Sequence, residues 1–148
     1  MPTGKAFPTA NRLLAPPPGS GGLQVQTEVV IDHQSRGFAG QEGIPQAGQA
    51  AVSLPAPQVG YGYRVELISV YTNSTNQTLA DIYLGDPLPT NRVDHTDTGN
   101  EDIAFEQPPI FVPAGQILTV LWTGLSPGAV CNARLQWSIV QFVPVTYS

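Results

Sequence analysis

Residues 129–139 read Ala-Val-Cys-Asn-Ala-Arg-Leu-Gln-Trp-Ser-Ile, and their apolar side chains recur at every second position. One face of this segment carries Cys131, Ala133, Leu135, Trp137 and Ile139, and polar residues stand between them. A period of two is the repeat of an extended strand, and a polar second face is typical of antiparallel sheets. The segment therefore predicts an antiparallel strand with one face in a core and the other facing water or a partner.

Shorter segments upstream give the same signal, and glycine and proline turns separate them. They cover residues 23–31, 50–54, 63–71, 79–84, 110–112 and 117–122. Residues 35–49 contain four glycines and one proline and are predicted to form a long loop. Because no segment shows a convincing helical period, the pattern predicts an all-β fold, an antiparallel β-sandwich or jelly roll.

The N-terminal residues differ in composition from the rest of the chain. Pro16-Pro17-Pro18 favours extended polyproline II, and the glycines and serine that follow favour flexibility. We predict an extended Pro/Gly-rich arm over residues 1–22 and a β-sandwich domain over residues 23–148. The arm is either a disordered tail or a segment ordered by a neighbouring subunit. In the second case its candidate partner contacts are Phe7, Leu13, Leu14, Pro16, Pro17 and Pro18.

The alternation changes after Ile139, because Val140 and Phe142 place apolar side chains on the face that was polar. Either this end of the sheet is covered or it contacts another subunit, so both residues are candidate partner contacts. Trp122 and Trp137 each share a face with aliphatic residues. We therefore predict that both tryptophans lie in the core and do not form a platform for sugars.

The chain is poor in charge: only 11% of its 148 residues are charged, against about 25% in a typical soluble domain. Such a surface indicates a protein that works while bound to others. The net charge of −5 argues against nucleic-acid binding. The single cysteine, Cys131, and the absence of a secretory signal or a long apolar run predict assembly in a reducing cytoplasm, away from membranes.

Motifs that could carry catalysis fail on chemical grounds. Residues 124–128 match G-x-S-x-G around Ser126, but the next residue is Pro127, which has no N–H for an oxyanion hole. The histidines His33 and His95 stand far apart without a zinc-ligand spacing. Asp97-Thr98-Gly99 resembles the aspartic-protease triplet, but only one copy exists. We expect no enzyme activity and no cofactor.

The most acidic stretch, residues 91–106, is predicted to form a loop and contains a weak candidate site for Ca²⁺. Its oxygen ligands would come from Asp94, Asp97, Asn100 and Asp102, although the spacing is not that of an EF-hand. A solvated turn and a polar contact between subunits are the alternatives.

Several segments resemble small β-sandwich virion proteins of tailed bacteriophages, particularly those that infect actinobacteria. The resemblance covers about residues 60–143 and rests on residues 71–75, 82–85, 109–115, 118–124 and 128–129. It implies a capsid decoration or minor capsid protein, located on the capsid surface of the virion and commonly trimeric. The implied partner is the major capsid protein.

Two other functions compete with this interpretation. A tail or fibre module that binds a host-surface glycan would need an exposed aromatic cluster from Tyr61, Tyr63, Tyr83 or Tyr147. An enzyme would need a catalytic triad or a converging carboxylate pair, and the sequence offers no credible one.

Overall fold

The computed structural model describes residues 12–14 and 24–144, and within them it contains nine β-strands and one short 3-10 turn. The strands are β1 (Arg12–Leu14), β2 (Gln24–Gln41), β3 (Gln49–Leu54), β4 (Tyr61–Thr72), β5 (Leu79–Leu84), β6 (Arg92–His95), β7 (Glu101–Val112), β8 (Leu118–Thr123) and β9 (Val130–Pro144). The 3-10 turn, Pro89–Asn91, leads into β6. The all-β prediction is confirmed.

The strands form two antiparallel sheets whose order defines a jelly roll. The five-stranded sheet runs β1-β2-β9-β4-β7, and the four-stranded sheet runs β3-β8-β5-β6. When β2 to β9 are counted as strands 1 to 8, the sheets read 1-8-3-6 and 2-7-4-5. This is the double Greek-key order of a jelly roll. Strand β1 is an addition at the outer edge of β2.

The core lies between the sheets and follows the alternation that the sequence shows in β9. Cys131, Ala133 and Leu135 are at most 1% exposed, whereas the intervening polar residues face outward. Trp122 is fully buried and donates its indole N–H to the Gly99 carbonyl at 3.0 Å. Trp137 is also buried, so the prediction that both tryptophans belong to the core is confirmed.

Two predicted loops were wrong, and glycine and proline explain both errors. The predicted loop 35–49 begins inside β2, which continues to Gln41. Gly40 lies within this strand, where the backbone of β3 comes close: a Cβ at position 40 would stand 3.2 Å from the Ala51 carbonyl oxygen. A glycine inside a strand can therefore mark a close approach of another backbone and not a loop. The acidic residues 91–106 form β6 and much of β7. Strand β7 tolerates Pro108 and Pro109 because it is an edge strand.

Only a small part of the predicted arm falls within the described residues. Arg12–Leu14 pairs with Gln24–Gln26, so Leu13 and Leu14 lie in a strand of their own chain's sheet. The candidate contacts Phe7, Pro16, Pro17 and Pro18 lie outside the described residues. Their role as partner contacts stays a prediction. Within residues 12–14 and 24–144, no helix is long and apolar enough to cross a membrane.

Candidate interaction surface

The outer face of the larger, five-stranded sheet is a regular surface of the fold. The register across β2, β9, β4 and β7 places side chains on this face in rows. Three successive rows are Ala39–Asn132–Tyr71–Glu101, Gly37–Arg134–Ser69–Ile103 and Ser35–Gln136–Leu67–Phe105. The rows are polar at their centre on β9, and at the β7 edge two of them end in apolar residues, Ile103 and Phe105, and one in Glu101.

Three residues at or next to this edge form a feature that we call the outer apolar patch: Tyr71 on β4, and Ile103 and Phe105 on β7. Their side chains are 46%, 51% and 71% exposed, respectively. Ile103 and Phe105 point the same way because they are two residues apart on β7, and Leu67 lies opposite Phe105. Burying one such side chain contributes about 1.5–3 kcal/mol. An exposed apolar group of this kind is a candidate contact site.

The opposite end of the same face is covered by the chain itself. Phe111 and Phe142 meet edge to face with ring centroids 5.8 Å apart, directly over Gly62. Arg64 lies over the Phe111 ring and pairs with Glu28. This packing requires a glycine at position 62, since a Cβ there would stand 2.6 Å from Phe111 Cε1.

The packing bears on the two C-terminal partner candidates. Val140 is only 1% exposed, so its side chain is covered within its own chain. Phe142 is half-buried against Phe111. Of the two alternatives left by the sequence, a covered sheet end describes this geometry. A partner contact at the remaining surface of Phe142 stays a prediction.

The centre of the face holds a polar cluster that sequence reasoning missed. Ser138 Oγ lies 3.0 Å from His33 Nδ1 and 3.4 Å from Glu66 Oε1. The three residue types are those of a hydrolase triad, but the order is wrong, because the carboxylate contacts the serine and not the histidine. Ser138 is also 4% exposed and lies within a strand. The cluster therefore ties β2, β9 and β4 together.

The motif around Ser126 is likewise built into a turn. Ser126 Oγ accepts hydrogen bonds from Ser74 Oγ at 3.1 Å and from the Thr75 N–H at 3.0 Å. Gly124 and Gly128 have positive φ angles of 82° and 77°, which suit the turn between β8 and β9. The serine hydroxyl thus fixes one loop against another.

The four residues proposed as Ca²⁺ ligands make different hydrogen bonds in the structure. Asn100 Oδ1 accepts from the Thr78 N–H at 2.8 Å, from Thr78 Oγ1 at 3.0 Å and from Thr98 Oγ1 at 3.1 Å. Asp102 Oδ2 accepts from the Asp97 N–H at 2.6 Å, and its Oδ1 accepts from the Ile103 N–H at 2.8 Å. These backbone donors, that of Ile103 foremost, lower the pKa of Asp102. The loop therefore already satisfies much of its oxygen set internally.

Asp94, the fourth candidate, lies apart from this hydrogen-bonded loop and bonds with Glu106 across the ends of the two sheets. In the part of the chain with described side chains, no three Asp, Glu, His or Cys residues are grouped to hold a metal. The Ca²⁺ site stays a prediction.

The Asp94–Glu106 carboxyl pair is the second feature that the sequence did not reveal. Glu106 is 9% exposed, and its Oε2 has no hydrogen-bond partner within the described residues. Burial, followed by the hydrogen bond and the charge of Asp94, raises the pKa of Glu106 to about 8. Both carboxyls line an open hollow of about 520 Å³ next to Pro108 and Phe105. Ala104 and Glu106 are two residues apart and both are buried. This spacing is the feature of the sequence that could have indicated a buried Glu106.

The tyrosines expected to form a glycan platform are not exposed as a cluster. Tyr63 packs on Trp137 at 5.8 Å between ring centroids, and Tyr83 is buried. Tyr61 is half-buried, and Tyr147 lies outside the described residues. Tyr71 and Phe105 are well exposed, but four residues of strand separate their rows, about 13 Å. They are too far apart to stack on one sugar ring together.

Comparison with known proteins adds one distant structural likeness. No family model matches the chain, and no curated protein matches it. A matching solved structure is the cryo-EM structure of the extra small virus VLP of the giant freshwater prawn Macrobrachium rosenbergii. The likeness covers 89% of this chain and 94% of that chain, with 15% identity and a TM-score of 0.31. At that TM-score the likeness carries no inference about this protein.

Proposed function

We propose that this protein is a non-enzymatic virion structural protein, a capsid decoration or minor capsid protein. It binds a lattice of major capsid protein and stabilises it. The observation that carries this proposal is the outer apolar patch, displayed on the outer face of a jelly-roll sheet. A concave pocket suits a small ligand, whereas an apolar group on an open sheet face suits another protein.

The surroundings of the patch support a protein partner. The rows beside it carry Ser69, Gln136 and Arg134, which can form a polar rim around an apolar centre. Protein interfaces have this arrangement, and aromatic residues are enriched in their centres. The chain also has only 17 charged residues, 6 basic and 11 acidic, so a partner would have few charges to desolvate.

Stabilisation by such a protein follows from mass action. A ligand that binds only the assembled lattice lowers the free energy of that lattice by RT ln(1 + [L]/Kd). Each contact can be modest, because many copies act on one particle. The resemblance to tailed-phage virion proteins gives the same role and names the major capsid protein as partner.

The test compares binding to capsids from which the protein has been removed. Wild-type protein should sediment with the capsids in a fixed ratio to the major capsid protein and raise their disruption temperature. The double variant I103S/F105S should lose both effects while keeping its fold by circular dichroism. The matched control is V59S, since Val59 is 92% exposed but lies in the turn before β4.

Two results would remove the proposal. One is a disruption temperature that is equal with and without the protein. The other is undiminished binding of the I103S/F105S variant. Binding of the wild type to a glycan array, without capsid binding, would favour the tail or fibre alternative instead.

A further inference from the structure

Strand β2 has a long edge to which the described chain supplies almost no partner. One edge of this 18-residue strand pairs with β9 along most of its length. The other edge pairs only with β1, at Gln24–Gln26. Among residues 12–14 and 24–144, no strand pairs with the stretch from Val29 to Ala39 on that side. Unpaired backbone N–H and C=O groups of this kind favour the addition of another strand.

The other three sheet edges in the described part of the chain are better protected. The β7 edge contains Pro108 and Pro109, which cannot donate to a neighbouring strand. The β3 and β6 edges are only 6 and 4 residues long. The open stretch of β2 contains no proline, and one irregularity interrupts it, at Ile31. The β2 edge is therefore the best suited of the four to pairing between chains.

The open stretch is complementary to itself. Its midpoint is Gln34, and a twofold axis there would pair two copies of β2 in antiparallel register. In that register each Asp32 lies opposite an Arg36 of the second copy, so the contact contains two opposite-charge pairs. Both side chains are exposed, and their positions project to the same face of the sheet. Opposite charges across two strands stabilise pairing, whereas like charges oppose it.

The flanks of the same register bring apolar residues together. Val29, Val30 and Ile31 are 40%, 52% and 48% exposed. Because two residues oppose one at the Ile31 irregularity, Val30 would lie opposite Gly37 and Val29 opposite Phe38 of the second copy. Charge in the centre and apolar residues on both sides define one register.

We propose that two copies of this chain associate through their β2 edges, antiparallel about a twofold axis at Gln34. The contact joins the two five-stranded sheets into one continuous sheet and buries the exposed Val29–Ile31 segment. It is isologous, as in most twofold dimers, and closes with two copies. The inference does not depend on capsid binding, which uses the opposite edge of the sheet.

The test is the dissociation constant of the full chain, measured by sedimentation over a concentration series. The wild type should dimerise. The variants D32R and R36D should each weaken the dimer by about tenfold or more, because each places two like-charge pairs in the contact. The double variant D32R/R36D swaps the charges and should restore dimerisation. The control is D86R, which reverses an exposed charge in the loop after β5.

The double variant separates pairing from local damage. Asp32 accepts hydrogen bonds from the His33 N–H and the Gln34 side chain, and Arg36 lies over Phe38. If the single variants weaken the dimer only because these local contacts are lost, D32R/R36D should also dimerise weakly. If they weaken it through like charges across the two strands, D32R/R36D should dimerise again. A monomeric or trimeric wild type, unaltered dimerisation of the single variants, or failure of the double variant to recover would each overturn the proposal.

Discussion

The carboxyl groups of Asp94 on β6 and Glu106 on β7 meet where the outermost strands of the two sheets lie against each other. Desolvation disfavours a charge on Glu106, and the neighbouring Asp94 carboxyl disfavours it further. The pKa of Glu106 is therefore raised to about 8 from its ordinary value of 4.5. The folded protein keeps a proton here that the unfolded chain has lost at neutral pH.

This pair predicts that stability falls as the pH rises. Below pH 4.5 Glu106 is protonated in both the folded and the unfolded chain, so burying it as a charge does not lower the free energy of unfolding. Between 4.5 and 8 the unfolded chain releases the proton first, so the free energy of unfolding falls by on the order of 1 kcal/mol per pH unit. Above 8 the loss is complete. The lowered pKa values of Glu42 and Asp102 act separately, since they remove stability only in acid.

Urea unfolding of Glu106→Gln between pH 5 and 9 checks this prediction. The variant should lose most of the decline and be more stable than the wild type at pH 8. Glu101→Gln on the same strand is the control, because Glu101 is exposed. A decline of the same slope in E106Q and the wild type would show that the carboxyl pair does not cause it.

The loop at Gly99 predicts a large cost for a single methyl group. A Cβ at Gly99 would stand 2.6 Å from Thr78 Oγ1, 2.9 Å from the Leu79 carbonyl carbon and 3.0 Å from Trp122 Cδ1. The backbone contact cannot yield by a side-chain rotation. Gly99→Ala should therefore lower the free energy of unfolding by about 1–3 kcal/mol. The control is Gly37→Ala, whose Cβ would meet only an arginine side chain at 3.5 Å. Equal stability of the two variants would contradict the packing described.

Much of the fold could be predicted from alternation alone. Strand β9 shows a clear period of two from Val130 to Trp137, because one face of this stretch lies on the core and the other faces outward. Strand β5 matches its predicted bounds, residues 79–84, because Gly85 and Pro87 end it. These elements combine a clear pattern with clear turn residues, so local sequence and tertiary environment agree.

The rest could not be predicted because its residues serve long-range contacts. Gly40 resembles a loop residue, but it lies in β2 to let β3 approach. The acidic and proline-rich composition of residues 101–109 resembles a loop, yet these residues form the edge strand that carries the outer apolar patch. The pairing of Asp94 with Glu106 depends on which strands end up at the sheet edges. A single sequence does not contain that information in any short segment.

The hydrogen bonds that Asn100 and Asp102 already accept lead us to predict that Ca²⁺ does not stabilise the protein. Asn100 and Asp102 already accept hydrogen bonds from neighbouring backbone and hydroxyl groups, which a cation would have to displace. The melting temperature should be the same in millimolar Ca²⁺ and in EDTA. A rise in Ca²⁺ that disappears in D94N or D97N would establish the cation site that the sequence suggested.

The single thiol predicts a simple probe of the core. Cys131 is fully buried, and burial raises its pKa, so little thiolate forms and no reagent reaches it. A disulfide reagent should label no thiol in the native chain and one per chain in denaturant. The rate of native labelling should then measure how often the two sheets separate and expose Cys131. The doubly substituted control, Cys131→Ala with Val59→Cys, should react at once because position 59 is 92% exposed. Rapid labelling of the native wild type would place Cys131 at an accessible surface and contradict the strand's inward face.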